Sequence, residues 1–156
     1  MINNIENYLT YENIYLLVNW GVIPFWLMLL LIPNHVLTKF FVHSIIAPLI
    51  LSLAYIFIAY KIYLNGNLFN GFSLYFSLDS LYALYSEEEF LVVFWLHFLS
   101  ISLFVGSWIA RDSQRYMVPK TLTSLSLILT YFVGPVGLTF YWFIRIFFAK
   151  KIGFND

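Results

Sequence analysis

Apolar residues in this chain do not alternate with polar ones. They gather into four long blocks separated by short polar breaks. The first block, residues 13–34, holds no charged residue; the second, 40–60, holds none either and has His43 as a titratable group. The third, 90–110, contains His97 as its one such group, and the fourth, 121–144, is bracketed by Lys120 and Arg145. A helix needs about 20 mostly apolar residues to cross ~30 Å of hydrocarbon. An Asp or Lys at mid-bilayer costs about 2.5–3.5 kcal/mol, so the absence of such residues from all four blocks is informative. The pattern predicts an all-α membrane protein: a four-transmembrane-helix bundle with spans at about 12–33, 40–62, 89–110 and 121–147, in one integral membrane domain covering 1–156.

Local signals set the ends. Pro33 stops the first span, the run Arg111-Asp112-Ser113-Gln114-Arg115 closes the third, and Pro119 stands where the next helix begins. Residues 1–6 carry no basic stretch, and no small-x-small site follows the first block, so that block reads as a retained span rather than a signal peptide. Between the second and third spans, Asn65-Gly66-Asn67 and Asn70-Gly71 mark turns. Beyond them Leu74, Tyr75, Leu78, Leu81, Tyr82 and Tyr85 recur at helical spacing. Residues 68–86 therefore read as a short interfacial helix, or equally as an aromatic loop folded over the bundle. Gly134-Pro135-Val136-Gly137 falls inside the fourth block and predicts a kink there. With four spans, Lys39, Arg111, Arg115 and Lys120 face Lys61, Arg145, Lys150 and Lys151 across the membrane, so basic residues set no orientation. The short first and third loops favour both termini outside the cytoplasm.

Composition narrows the function classes. Of 156 residues, 62% are hydrophobic and 10% charged, where soluble domains are nearer half apolar and a quarter charged. A soluble enzyme would have nothing to dress its surface. Eight basic and eight acidic residues cancel, which leaves no electrostatic handle for nucleic acid. There is no cysteine, which removes disulfides, thiolate metal sites and cysteine nucleophiles. The partners implied are the lipid bilayer and a hydrophobic small molecule. Exposed aromatic faces permit a homo-oligomer without demanding one. Usage rich in Asn, Ile, Lys and Phe points to an AT-rich bacterial genome, hence an inner-membrane, multi-pass protein.

Polar groups at membrane depth are the candidates for chemistry. His97 lies roughly 12 Å below the surface at Glu89, at ~1.5 Å of rise per residue. The same rise brings Asn19, Tyr55 and Tyr141 of the other three spans to that layer, with Ser52 and Thr139 nearby. Histidine exchanges protons near neutral pH, while Asn and Tyr orient it or donate to a developing oxyanion. The competing reading is a histidine satisfied by a Tyr hydroxyl or by Ser100, joining helices. His43 lies towards the opposite surface, which argues against a bis-histidine haem. No His/Asp/Glu group has the spacing of a zinc site.

Further motifs carry a resemblance. Trp95-Leu96-His97-Phe98-Leu99 is followed by Leu103-Phe104-Val105-Gly106, Trp108 and Ala110-Arg111-Asp112. Val118-Pro119, Thr130, Gly134-Pro135-Val136-Gly137-Leu138, Tyr141 and Arg145 come next. Upstream stand Asn19, Pro24, Trp26 and Pro33, then Phe76-Ser77-Leu78-Asp79 and Ala83-Leu84-Tyr85-Ser86. Over residues 13–148 the chain resembles the small membrane family named after abscisic acid deficient four, the plant neoxanthin synthase protein. The resemblance implies a four-helix membrane domain. It also implies chemistry like the plant conversion of an epoxycarotenoid to an allenic product, and it adds Asp112 to His97 and Asn19 as candidates. Tyr55 and Tyr141 stay on the list as orienting partners. The chain departs from the family pattern at Ser102, where many members are acidic, at Lys120, where they carry His, and at Leu125-Ser126, where Pro-Cys occurs.

The leading expectation is thus a carotenoid- or terpenoid-modifying, isomerase-like membrane protein using a buried His97 as acid/base. The alternative is a non-catalytic pigment- or lipid-binding bundle, or an accessory subunit of another membrane enzyme. A transporter is the third reading, opposed by the absence of an inverted repeat and of a mid-membrane charge pair. The sequence names no cofactor.

Overall fold

The heptad-like recurrence Ile14, Val18, Val22, Trp26 and Leu29 gives α1, Tyr11–Leu31, one continuous buried stripe. The helix stops just ahead of Pro33. The chain then turns through a short helix, Val36–Thr38, and a π-helical turn, Lys39–His43. Ile45 follows with φ 72°, a left-handed value that a β-branched residue rarely adopts. It separates that turn from α2, Ile46–Leu64. A 3-10 helix, Leu68–Tyr75, leads to α3, Leu78–Tyr85, whose first turn is capped by the Ser77 hydroxyl accepting from the Ser80 amide at 3.0 Å. Next come α4, Glu88–Arg115, then α5, Lys120–Val133, and α6, Pro135–Ala149. In this computed structural model residues 10–66 and 68–150 are described, with backbone alone at 68–70. The expectations placed on residues 1–6, Asn67 and Lys151 lie outside the described residues. No strand occurs among the described residues.

Three helical stretches are long and apolar enough to cross a membrane: Tyr11–Leu31, Val36–Leu64 and Glu88–Arg115. The stretch expected as a fourth, kinked span is instead two shorter helices of 14 and 15 residues. At ~1.5 Å per residue each reaches only about 21–23 Å. A straight helix from Lys120 would carry Arg145 about 37 Å away. Yet the Arg145 guanidinium donates to the Tyr116 hydroxyl at 3.3 Å, just ahead of the start of α5. The pair therefore folds back on itself as a hairpin.

Two glycines permit it. Gly134 adopts φ 47°, ψ −91°, a conformation closed to residues bearing a side chain, and Pro135 starts the returning helix where a missing N–H costs nothing. Gly137 lies against Thr130 so closely that a methyl group in its place would overlap the Thr130 backbone nitrogen. Proline alone would have bent one helix. Glycine at these two positions lets the chain reverse.

The described residues fall into two compact units that share helices rather than dividing the sequence in two. The first comprises the chain up to Gly21 together with Leu49–Phe98; the second comprises Val22–Pro48 and the chain from Leu99 onward. In the first, the start of α1 meets the start of α4: the Tyr11 hydroxyl donates to Glu89 at 3.1 Å, and the Tyr15 and Trp95 rings lie 6.1 Å apart. In the second, Gly106 of α4 receives the Trp26 ring, and an added Cβ there would stand 2.7 Å from it. His43 closes the same unit from Lys39–His43: its ring nitrogens meet the Ser107 hydroxyl at 3.0 Å and the Pro33 carbonyl at 3.1 Å.

Candidate functional site

Within the first unit, α2, the 3-10 segment, α3 and α4 enclose a cavity of about 460 Å3. Its wall is aromatic and aliphatic, including Ile62, Phe72, Tyr85, Phe90 and Phe94. Polar rings interrupt it, among them Tyr55 from α2 and His97 from α4, with centroids 6.3 Å apart and tilted by 54°. Tyr85 stands against Phe94 at 4.9 Å. Burial pushes the Tyr85 phenol above its ordinary value, helped by Tyr55 and Tyr75, so it stays protonated.

Helix rise brings Tyr55 and His97 together as expected from depth, but the rotation of α4 differs from the expectation. His97 is not buried; it is exposed and lines the cavity. Leu96, Leu99 and Leu103 form the buried stripe of α4, and His97 stands about 100° round the helix from Leu96. No hydrogen bond reaches either of its ring nitrogens among the described residues. Asn19 is half-buried in the same unit, and no hydrogen bond joins it to His97 or Tyr55 among the described residues.

Tyr141 does not join that layer. It belongs to the second unit, where the fold-back of α6 brings its fully buried hydroxyl to Asp112 Oδ2 at 2.7 Å. Arg145, also fully buried, donates from Nε to the same oxygen at 2.8 Å. Its guanidinium carbon lies 4.8 Å from the centre of the Tyr116 ring, and Trp108 packs edge-on against Tyr141 at 5.5 Å. One carboxylate oxygen thus accepts two charge- or phenol-donated hydrogen bonds, an arrangement that ties α6 to α4. Arg145 and Tyr116 were not singled out from the sequence as site residues. The signal was present as two i, i+4 pairs, Asp112 with Tyr116 and Tyr141 with Arg145, which place each pair on one helical face.

Among the described residues no three His, Cys, Asp or Glu side chains converge as metal ligands would. Neither a curated protein nor a solved structure matches the chain. A family model does, over residues 13–141, which takes in α1 to α4, the hairpin turn and Tyr141, and so the chain belongs to the ABA DEFICIENT 4-like family.

Proposed function

We propose that this membrane protein binds a carotenoid- or terpenoid-class molecule in the aromatic cavity and isomerises it, with His97 moving the proton. One observation carries the reading: a largely apolar cavity of about 460 Å3 whose wall sets an imidazole beside a phenol. Rings and aliphatic side chains suit a cyclic terpenoid end group, and few polar groups are needed to orient it. For an epoxide-to-allene conversion the atoms balance without a co-reactant. Neutral His97 takes a proton from the carbon beside the oxirane, the C–O bond breaks, and the imidazolium returns that proton to the freed oxygen. The Tyr55 hydroxyl donates to the oxygen as charge develops. The exposure of His97 suits a ligand that enters sideways from lipid. Asp112 and Tyr141 act as a brace for the hairpin, and Asn19 is retained as an orienting group on depth alone. In the bilayer the chain makes three spans and a hairpin that enters and leaves on one face.

Expression in a carotenoid-producing host tests this, comparing pigments made with the parent chain, His97→Ala and Tyr55→Phe. A new isomer that disappears with His97→Ala is the expected result. Unchanged pigments across the substrates offered would refute the enzymatic reading. The non-catalytic alternative is favoured by a specific feature: nothing among the described residues fixes the tautomer of His97, as an oriented base requires. A stoichiometric polyene in the absorption spectrum of purified protein, without turnover, would select it.

A further inference from the structure

The neutral total of the chain hides an uneven division of charge among the described residues. Among the described residues the first unit carries Glu12, Asp79, Glu87, Glu88 and Glu89 against one base, Lys61. The second carries Lys39, Arg111, Arg115, Lys120, Arg145 and Lys150 against one acid, Asp112. Asp112 and Arg145 neutralise each other inside that unit. What remains on its surface is Lys39, Arg111, Arg115, Lys120 and Lys150, all exposed, with no exposed carboxylate among its described residues.

These bases share one end of the unit. Lys39 opens the turn that ends at His43, and the His43 ring meets Ser107, one helical turn before Arg111. Arg115 packs on the Tyr116 ring, which also receives Arg145, and Lys150 follows Arg145 just past the end of α6. Lys120 lines a cavity with Asn34 and Gln114. The fold-back at Gly134 is what brings Arg145 and Lys150 to this end. A straight fourth span would have carried them away from it.

We propose that this basic end binds anionic lipid headgroups and holds itself at the cytoplasmic face of the membrane. Cytoplasmic leaflets are the anionic ones, and short loops rich in Lys and Arg remain on that side. The inference does not depend on what occupies the aromatic cavity.

Two measurements test it together. The chain lacks cysteine, so a single Asn34→Cys variant can be treated with a membrane-impermeant maleimide on intact cells. Asn34→Cys should react only after permeabilisation; reaction on intact cells overturns the orientation. Separately, purified protein is equilibrated with equal phosphatidylglycerol and phosphatidylcholine of matched chains, and the retained lipids are counted by mass spectrometry. Phosphatidylglycerol should be enriched. Lys39→Gln and Lys120→Gln should each reduce the enrichment by up to about fivefold, and 1 M salt should abolish it. Lys61→Gln serves as the control and should leave it unchanged. Equal retention of the two lipids, or enrichment insensitive to both substitutions and to salt, overturns the proposal.

Discussion

Removing the charge of Asp112 tests the hairpin most directly. Arg145 is fully buried and Asp112 is 9% exposed, with their charged atoms 2.8 Å apart. At an effective dielectric of ~20 that separation gives about 6 kcal/mol of attraction, much of it offset by the cost of taking both groups out of water. Asp112→Asn keeps the shape and leaves the guanidinium without its counter-ion, for a loss of about 3–5 kcal/mol. For a chain of this size each kcal/mol moves the melting midpoint by about 2–4 °C, so a fall of roughly 6–20 °C is expected. Arg145→Leu should cost a similar amount, by stranding the carboxylate. The double variant Asp112→Leu with Arg145→Leu should recover at least half of either loss, because no buried charge is left unpaired. The assay is thermal unfolding in detergent, followed by size-exclusion fluorescence. Single variants within about 2 °C of the parent, or a double variant equal to the sum of the singles, would refute the brace.

Gly137→Ala sets a methyl group against the Thr130 backbone and should destabilise by about 1–3 kcal/mol, read in the same melting assay. Gly106→Ala, which meets the Trp26 ring at 2.7 Å, should cost a similar amount and shift tryptophan fluorescence as well. Ile45→Gly relieves a left-handed backbone at a half-exposed site and should leave the midpoint unchanged or raise it by the equivalent of up to about 1 kcal/mol; a clear fall counts against the strain. If the chain makes the three spans and the hairpin proposed above, reporter tags at the two chain ends lie on opposite sides of the membrane. Finding both on one side would restore the fourth span.

Much of the secondary structure is legible in the residues themselves. Uncharged blocks long enough to cross a bilayer announce the helices, Pro33 follows the end of α1, and Pro119 immediately precedes α5. Spacing leaves the aromatic segment after Gly71 open between a short helix and a loop; in the structure it is a 3-10 helix followed by α3, which Ser77 caps. The candidate site was legible by half. Counting residues along two helices correctly brought Tyr55 level with His97. Counting could not give rotation, and a turn of about 100° separates the buried Leu96 from the exposed His97. Tyr141 was misplaced for a different reason: its depth assumed a helix that continues past Gly134.

Sequence alone determined what the chain is made of: all-helical, apolar enough for a membrane, neutral in sum, and a member of one family by its motifs. These follow from local composition and spacing, which need no partner to be expressed. The tertiary structure decided the direction of α6, the pairing of Asp112 with Arg145 and the exposure of His97. It also turned a charge balance of zero into one acidic and one basic unit. Gly134 and Gly137 allow reversal but do not command it; the ion pair and the close packing of Thr130 do. Such terms act between residues far apart in the chain, so they exist only once the helices meet.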